Sequence, residues 1–317
     1  MTRFNSNLLI IRYTKPPKSQ ACYKYYENLL VISPDSISIV LPAKNEARNL
    51  VDLLPQLKSL QPDAEIIVIN DGSTDNTARV ATDADVKVIS HPYSQGNGAS
   101  VKTGARNAHG DVLVFMDADG QHDPEDIPRL LEKLDQGYDM VVGARKANTH
   151  ASLSRRFGNA LYNRFASMMT GHKIEDLTCG FRAVKANKFR KFLYLLPNGF
   201  SYPTTSTMAF FRSGFPVAYV PIQAGKREGQ SHIRVIKDGV RFFIIILRIG
   251  ALFSPMRLFL PISFFIFIIG LSYYGYTFFT TGRFTNMSAV LFLSSLSIFL
   301  IGIISEQISS LHYKNIE

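Results

Sequence analysis

The sequence predicts an α/β domain with a mostly parallel sheet, followed by a hairpin of two membrane-spanning helices. From Ser36 onward, short apolar runs alternate with segments of helical periodicity, and two long uncharged stretches follow Arg257. Strands that alternate with helices favour a parallel sheet covered by helices. An uncharged apolar stretch of about 20 residues is long enough to cross a bilayer as a helix.

Five short runs rich in β-branched residues are predicted to be strands buried on both faces. They are Ile37–Leu41, Glu65–Asn70, Val86–Ser90, Val112–Met116 and Met140–Gly143. The segments between them have helical periodicity and polar first residues. These predicted helices are Asn49–Leu60, Asn76–Ala84, Asn97–Ala108 and Asp126–Leu134.

The C-terminal part predicts a transmembrane hairpin. No residue between Arg257 and Arg283 is charged, and a second uncharged run extends from Phe284 to Ser305. A turn around Gly282 and Arg283 separates the two runs, and each run is long enough to span the hydrocarbon core. The alternative is a pair of helices buried in a large soluble core.

Basic residues predict how the hairpin is oriented. They are more frequent outside the hairpin than in its turn, which favours cytoplasmic positions for both ends and for the preceding domain. The residues concerned are Lys237, Arg241, Arg248, Arg257 and Lys314 outside the hairpin and Arg283 in its turn. Residues 234–257 are predicted to form an interfacial helix, because three of these cations share one helix face. An ordinary amphipathic core helix is the alternative.

Composition indicates an anionic partner and a reducing compartment. The 317 residues carry a formal net charge of +10, which suits nucleic acid, an acidic membrane surface or a phosphorylated ligand. The sequence contains no matching nucleic-acid motif, so we expect no nucleic-acid partner. The two cysteines, Cys22 and Cys179, provide no disulfide framework. Residues 1–35 are treated as an N-terminal extension of unknown role.

Polar residues follow four of the predicted strands. These segments are Pro42–Glu46, Asp71–Asp75, Asp117–Asp119 and Gly143–Arg145. Each has an ordinary explanation as a turn or a helix cap. Ligands, however, bind such sheets beyond the carboxyl ends of the strands, and all four segments are expected there. Their shared location therefore predicts a functional site.

The Asp-X-Asp spacing of Asp117 and Asp119 suits a hard cation. Residues two apart on an extended backbone project to the same side. One or two carboxylates and the oxygens of a bound diphosphate are typical ligands of Mg²⁺. Such a cation would also neutralise the charge on a leaving nucleoside diphosphate. Taken alone, the spacing also occurs in many acidic turns.

Seven motifs in order give the chain, from Ser36 to its end, a specific resemblance to a known family. They are Leu41-Pro-Ala-Lys-Asn-Glu46, Asn70-Asp-Gly-Ser-Thr-Asp75, Gly96-Asn-Gly-Ala99, Met116-Asp-Ala-Asp-Gly-Gln-His122, Val142-Gly-Ala-Arg145, Asp176-Leu-Thr-Cys-Gly-Phe-Arg182 and Arg227-Glu-Gly-Gln-Ser-His232. The chain resembles the inverting family 2 glycosyltransferases with a GT-A fold. Within them, it is most similar to polyprenyl-phosphate hexosyltransferases such as dolichyl-phosphate mannose synthases.

The resemblance implies a metal-dependent enzyme that transfers a hexose from GDP-mannose or UDP-glucose to a dolichyl or undecaprenyl phosphate. Pro42 and Glu46 would line the nucleotide pocket, and Asp71 would receive the base. Asp117 and Ala118 would contact the ribose and diphosphate. Asp119 and Gln121 would hold Mg²⁺ or Mn²⁺. The implied partners are the nucleotide sugar, the polyprenyl phosphate and the bilayer, and an oligomer is possible.

Other positions are implied to meet the acceptor. Arg145 and Arg156 would contact its phosphate, and Asp176 occupies the position often assigned to a catalytic base. A phosphate monoester is mostly a dianion at pH 7, however, and has no proton that must be removed. We therefore expect Asp176 to orient an arginine or the sugar. Further contacts to the acceptor phosphate are expected from Arg182, Arg227 and His232.

Three departures from the family pattern affect the site. Asn70 replaces the first acid of the more common Asp-Asp-Gly-Ser, and Lys44 stands where many members have an aromatic residue. His232 replaces a frequent lysine, which puts its contact with phosphate in doubt because histidine is charged only near or below neutral pH.

Four other functions remain to be weighed. A processive polysaccharide synthase typically carries Gln-x-x-Arg-Trp, and this chain has no tryptophan. A dinucleotide oxidoreductase is suggested by Gly96-Asn-Gly98, but the third glycine is missing. The remaining alternatives are a glycosyltransferase with another lipid or glycan acceptor and a catalytically inactive membrane scaffold.

Overall fold

The computed structural model describes residues 36–145, 153–199, 201–223, 247–248 and 250–314. Residues 36–223 contain an α/β domain, and residues 255–314 contain a helical hairpin. The predicted N-terminal extension and residues 234–246 of the predicted interfacial helix lie outside the described residues.

One seven-stranded sheet forms the centre of the α/β domain. Its strands are β1 (Ile37–Ala43), β2 (Glu65–Asn70), β3 (Lys87–Ser90), β4 (Val112–Phe115), β5 (Met140–Arg145), β6 (Arg182–Lys185) and β7 (Val217–Ile222). The order across the sheet is β3-β2-β1-β4-β6-β5-β7. The five predicted strands are confirmed, and so is a mostly parallel sheet.

Strand β6 is the one antiparallel member of this sheet. It lies between β4 and β5 and pairs with both in the antiparallel sense. This strand was not predicted from the sequence, because Arg182-Ala-Val-Lys185 is short and has a charged residue at each end. Its insertion brings the preceding segment, residues 176–181, to the edge of the sheet where β4 ends.

Nine helices of five residues or more are described. They are α1 (Ala47–Leu60), α2 (Thr77–Asp83), α3 (Asn97–Asn107), α4 (Ile127–Asp135), α5 (Leu153–Thr170), α6 (Ala186–Arg190), α7 (Tyr202–Arg212), α8 (Pro255–Thr281) and α9 (Asn286–Lys314). The four helices predicted in the α/β domain are α1 to α4, and all are confirmed.

The core lies on both faces of the sheet. Every residue of β4 is buried, and successive side chains of a strand point to opposite faces, so helices must cover both. On α1, the buried leucines at positions 50, 53, 54 and 57 form one helical face. On α3, a Cβ atom at Gly104 would lie 2.2 Å from Cγ1 of Val40, so this glycine allows close packing of α3 on β1.

Helices α8 and α9 form the C-terminal hairpin and are long and apolar enough to cross a membrane. Gly282 ends α8 in the left-handed conformation, with φ of 66°, which places the turn where it was predicted. Ser263 and Ser295 each donate a hydrogen bond to the other's backbone carbonyl, at 2.9 Å. Only 11% and 17% of the apolar segments of the two helices are buried, which argues against the core of a soluble protein.

Glu65 braces the amino end of the sheet, at the end of β2 remote from Asp71. Its carboxylate accepts hydrogen bonds from Ser38 Oγ at 2.6 Å, Lys87 Nζ at 2.9 Å and the backbone N–H of His109 at 2.8 Å. Burial raises the pKa of Glu65, but the bonds from these three residues outweigh it and lower the pKa to about 2. The ionised carboxylate therefore stabilises the folded chain.

We predict that Glu65→Gln lowers the melting temperature at pH 7 by several degrees, because loss of such a bonded charge costs about 1–3 kcal/mol. The lowered pKa means that this stability is present above the unfolded pKa of about 4.5 and is lost as the pH falls towards about 2. The difference between variant and wild type should therefore shrink over that interval. Thermal unfolding in detergent measures this difference in melting temperature, with Glu132→Gln on α4 as the exposed control. A difference in melting temperature that does not change with pH would contradict the stabilising role of the ionised Glu65.

Candidate active site

A cleft of about 400 Å³ lies at the carboxyl ends of the central strands. All seven residues predicted for the nucleotide and the metal line it, namely Pro42, Glu46, Asp71, Asp117, Ala118, Asp119 and Gln121. They come from the segments after β1, β2 and β4, which are neighbours in the sheet. The expectation that these strand ends form one site therefore holds for these three segments.

Strand order sets the arrangement inside the cleft. Asp71 follows β2, Glu46 follows β1, and Asp117 follows β4, so the β1 segment lies between the two aspartates. Neighbouring strands are spaced about 4.8 Å apart, which separates the β2 end of the cleft from the β4 end by roughly 10 Å.

The β4 end carries the carboxylates that suit a cation. Asp117 Oδ1 accepts a hydrogen bond from Asn97 Nδ2 at 3.2 Å, and Asp119 Oδ1 accepts one from the backbone N–H of Gln121, also at 3.2 Å. The buried Oδ1 atom of Asn97 has no hydrogen-bond donor in the described part of the chain. Two carboxylates with nearby amide oxygens are a donor set that fits Mg²⁺ or Mn²⁺.

A cation at this end would need further ligands. Among the described residues, no group of three or more histidine, cysteine, aspartate or glutamate side chains is placed to hold a metal. Mg²⁺ is commonly bound by one or two carboxylates, with waters and substrate phosphates completing its shell. The donor set therefore suits a cation that binds together with a phosphorylated ligand.

His122 packs beside this site and does not line the cleft. Its ring stacks on Phe181, with centroids 5.1 Å apart, and its Nε2 lies 3.9 Å from the Cys179 sulfur. Burial lowers the pKa of His122 and outweighs the opposing effect of Asp117 and Asp119, so the ring is neutral at pH 7. The position favours packing over ligand contact for this histidine.

Asp71 fastens the segment after β3 to the end of β2. Oδ1 accepts hydrogen bonds from His91 Nδ1 at 2.8 Å and Gln95 N at 2.7 Å, and Oδ2 accepts them from Ser94 Oγ at 2.8 Å and Gly96 N at 2.9 Å. Burial raises the pKa of Asp71, and these four bonds lower it by more. The four lone-pair sites of the carboxylate are thereby occupied. Asp71 lines the cleft, but its oxygens are committed to the protein rather than open to a base.

Lys44 stands at the same end of the cleft. Its ammonium group donates to Ser94 Oγ at 3.0 Å, and that hydroxyl donates to Asp71. From the sequence, Lys44 was noted only as a departure from the family pattern, and Ser94 was not singled out. The ammonium group of Lys44 has three N–H donors, whereas the one O–H of Ser94 is donated to Asp71, so Lys44 supplies the hydrogen-bond donors at the β2 end of the cleft.

Asp176 and Arg145 form a bidentate ion pair at the end of β5. Arg145 Nε donates to Asp176 Oδ2 at 2.7 Å, and Nη2 donates to Oδ1 at 3.1 Å. Asp176 also accepts from the backbone N–H of Arg145 at 3.3 Å and from the N–H and hydroxyl of Thr178 at 3.0 and 3.1 Å. Burial raises the pKa of Asp176, but Arg145 and Thr178 lower it below its usual range. Asp176 therefore orients Arg145 and is a weak base.

Arg182 is fully buried and does not line the cleft. Nη1 donates to Pro203 O at 3.0 Å and to Ser206 Oγ at 2.7 Å, and Nη2 donates to the carbonyl of Cys179. These partners tie the segment before β6 to α7. The prediction that Arg182 contacts the acceptor phosphate is not supported by this position, because the side chain has no exposed surface.

Three other predicted residues have no described side chain. Arg156 lies on α5, where only the helix is described at that position. Arg227 and His232 lie outside the described residues. The structure therefore brings Arg145 and Asp176 together, although neither is among the residues that line the cleft. Contact with the acceptor phosphate stays a prediction for Arg145, Arg156, Arg227 and His232.

Four further cleft residues that were not predicted for the site come from the segment before β6 and from α7. Thr178 and Gly180 precede β6, and Tyr202 and Pro203 begin α7. A Cβ atom at Gly180 would lie 2.8 Å from Asp117 Oδ2 and 3.1 Å from the Tyr202 hydroxyl. The Asp-Leu-Thr-Cys-Gly-Phe-Arg motif was the available signal, since it contains two of the four residues.

We predict that Gly180→Ala weakens Mn²⁺-dependent nucleoside diphosphate binding by roughly tenfold, because the added methyl must displace the Asp117 carboxylate. The carboxylate is the flexible end of a side chain, so the melting temperature should change little. Isothermal titration and thermal unfolding measure the two effects. Gly275→Ala on α8, where an added Cβ meets nothing within 4 Å, is the control for glycine replacement outside the cleft. A large fall in melting temperature with unchanged binding would contradict this role.

Comparison with known proteins agrees with this geometry. Residues 38–193 match the model of glycosyl transferase family 2, and residues 254–311 match that of the GtrB C-terminal hairpin. The undecaprenyl-phosphate 4-deoxy-4-formamido-L-arabinose transferase of Klebsiella pneumoniae (strain 342) is 35% identical over 159 residues, which are 47% of this chain and 48% of that protein. The chain thus spans about half the length of this curated relative.

Solved structures share the fold. Glucosyl-3-phosphoglycerate synthase from Mycobacterium tuberculosis, in complex with Mn²⁺, UDP and phosphoglyceric acid, has a TM-score of 0.55 and 21% identity, over 68% of this chain and 78% of that one. Its complex with Mn²⁺, UDP-glucose and phosphoglyceric acid has a TM-score of 0.56 and 19% identity, over 75% and 86%. Residues 38–193 therefore form a glycosyl transferase family 2 domain with a GT-A fold, which is followed by a GtrB-type C-terminal hairpin.

Proposed function

We propose that the chain transfers a hexose from a nucleotide sugar, GDP-mannose or UDP-glucose, to a dolichyl or undecaprenyl phosphate, with inversion, to give a lipid-linked sugar. The observation that carries the proposal is a cleft with Asp117, Asp119 and Gln121 in a family 2 domain that is joined to an apolar hairpin. The name of the Klebsiella relative, an undecaprenyl-phosphate transferase, supports a polyprenyl phosphate as acceptor.

The donor would bind along the strand ends, with its diphosphate at the β4 end. Asp117, Asp119 and Gln121 would hold Mg²⁺ or Mn²⁺, which neutralises charge on the departing nucleoside diphosphate. The solved relatives that contain Mn²⁺ with UDP or UDP-glucose support this arrangement. The base would lie towards Lys44 and Ser94.

The acceptor phosphate would attack the anomeric carbon directly. Its second pKa is about 6, so it is mostly a dianion at pH 7 and needs no base. Asp176 accepts five hydrogen bonds from Arg145 and Thr178. A carboxylate has about four lone-pair sites, so these bonds occupy all of them. It therefore has no site for a substrate proton, and its role is to orient Arg145. We assign Arg145 and Arg156 to the acceptor phosphate, where they position it and offset its charge.

The membrane places the acceptor within reach of the domain. A polyprenyl chain lies in the bilayer with its phosphate at the surface, and the hairpin would anchor the domain there. The basic residues that flank the hairpin favour the cytoplasmic face, where anionic lipids attract cations. A cytoplasmic catalytic domain is therefore part of the proposal.

The test is to incubate purified protein in liposomes containing polyprenyl phosphate with radiolabelled GDP-mannose, UDP-glucose or UDP-N-acetylglucosamine and Mn²⁺. We expect label from GDP-mannose or UDP-glucose in a lipid that mild acid cleaves, and none after chelation with EDTA. Asp119→Asn provides the matched inactive variant. Transfer only to another lipid or glycan would overturn the acceptor assignment. Tight Mn²⁺-dependent binding of a nucleoside diphosphate would exclude an inactive scaffold, and its absence together with no transfer would overturn the proposal.

For Asp176→Asn we predict a fall in kcat of roughly 10–100-fold, because the amide holds Arg145 less firmly. The lowered pKa of Asp176 keeps it ionised from pH 5 to 9, so it should not titrate in that range. The acid limb of kcat/KM should therefore lie near pH 6, where the acceptor phosphate titrates, in both wild type and variant. Initial rates between pH 5 and 9 measure it. If the variant lost its acid limb and most of its activity while still binding both substrates, Asp176 would be the base.

A further inference from the structure

Glu306 is the one acidic residue in the described hairpin, residues 255–314. Its carboxylate accepts hydrogen bonds from Arg212 Nη2, at the end of α7, and from the backbone N–H of Met256 at 3.2 Å. Met256 lies in the first turn of α8, where backbone N–H groups lack helical partners. An ionisable residue in an apolar span is costly, and its partners indicate a role.

Arg257 makes a second contact between the hairpin and the α/β domain. Its Nη1 donates to the carbonyl oxygens of Met168 at 2.9 Å and Met169 at 2.8 Å. Ser254 Oγ donates to the same Met169 carbonyl at 2.9 Å. These carbonyls belong to the last turn of α5, which has unpaired acceptors and partial negative charge. The base of the hairpin therefore holds one catalytic-domain helix through Arg257 and another through Glu306.

Helix α7 leads to the cleft, and α5 holds the segment that carries Asp176. The 11 residues of α7 span roughly 16 Å, from Arg212 to Tyr202 and Pro203, which line the cleft. On α5, Asn163 Nδ2 donates to Glu175 O at 2.7 Å, and Asn163 Oδ1 accepts from Leu177 N at 3.2 Å. Asn163 thus fixes the backbone on either side of Asp176.

The two helices are also joined to each other. The hydroxyl of Tyr162 on α5 donates to Thr204 Oγ1 on α7 at 3.0 Å, and both side chains are buried there. The contacts from Glu306 and Arg257 are therefore continuous, through packed helices, with the part of the site that holds Arg145.

We propose that Glu306 and Arg257 are positioning residues that fix the height and tilt of the cleft over the membrane, so that it meets an acceptor phosphate anchored in the bilayer. The inference rests on the proposed function. An anchored phosphate cannot follow a cleft that tilts away, and a small misplacement of reacting groups lowers the rate strongly. A soluble phosphate reaches the cleft at any tilt, so it provides the comparison.

The experiment compares two acceptors with the full-length protein in liposomes, a long-chain polyprenyl phosphate in the bilayer and a short-chain, water-soluble prenyl phosphate. The variants are Glu306→Gln, Arg257→Met and the exchange Arg212→Glu with Glu306→Arg, and Glu132→Gln is the matched control. For Glu306→Gln and Arg257→Met we expect KM for the embedded acceptor to rise about tenfold. KM for the donor and kcat with the soluble acceptor should stay within about twofold of wild type.

The exchange variant should recover part of the loss caused by Glu306→Gln, because it restores the ion pair but not the contact with Met256. Equal losses with both acceptors, or unchanged kinetics in every variant, would overturn the inference. Binding of a nucleoside diphosphate checks that each variant is folded. A wild type that transfers sugar to neither acceptor would instead refute the proposed function, so the two failures are distinguishable.

Discussion

The buried guanidinium of Arg182 is the constraint on which the active-site half of the molecule depends. No carboxylate is among its described hydrogen-bond partners. Its Nη1 and Nη2 donate to carbonyl and hydroxyl oxygens, and the buried Nε has no acceptor among the described residues. A charge without solvent is tolerated only when such bonds surround it. The carbonyl of Cys179 and the first turns of α7 therefore lie around the guanidinium of Arg182, to which they supply the hydrogen-bond acceptors. The segment that carries Asp176 and Gly180 is thereby held against the helix that carries Tyr202, and both reach the cleft.

The acidic residues of the site form two groups with different roles. Asp71 and Asp176 are surrounded by donors from the protein, so each fixes a loop or an arginine in place. Asp117 and Asp119 lie at the end of β4, where Asp117 accepts a hydrogen bond from the side-chain amide of Asn97 and Asp119 accepts one from the backbone N–H of Gln121. A carboxylate has about four lone-pair sites, so one such bond to Asp117 leaves lone pairs for a cation. This division follows from local hydrogen bonding, which the identity of an aspartate in a sequence does not express.

Much of the fold was predictable because the first half of the chain follows simple periodicities. Val112–Phe115 is apolar throughout and Ile37–Ala43 is apolar except for Ser38, as suits strands covered on both faces, and their ends locate Glu46 and Asp117. Helix α7 was not predictable in this way, since it is rich in threonine and serine, which are weak helix formers. Its Thr205, Ser206 and Thr207 hydroxyls instead bond to carbonyls four residues earlier inside a buried environment. Tyr202 and Pro203 were missed for the same reason, because only tertiary packing brings them to the cleft.

The strand order β2-β1-β4 fixes the distance between the two ends of the cleft. Strand spacing is set by backbone hydrogen bonds and hardly varies, so the distance of roughly 10 Å between the ends that carry Asp71 and Asp117 is a property of the sheet. Mutations in the lining can change what is bound at either end but not this separation. A ligand that engages both ends must be an extended molecule with distinct groups at its two termini, and a lone phosphate or a free sugar is too short. The backbone of the sheet therefore selects the length of the ligand, whichever side chains line the cleft.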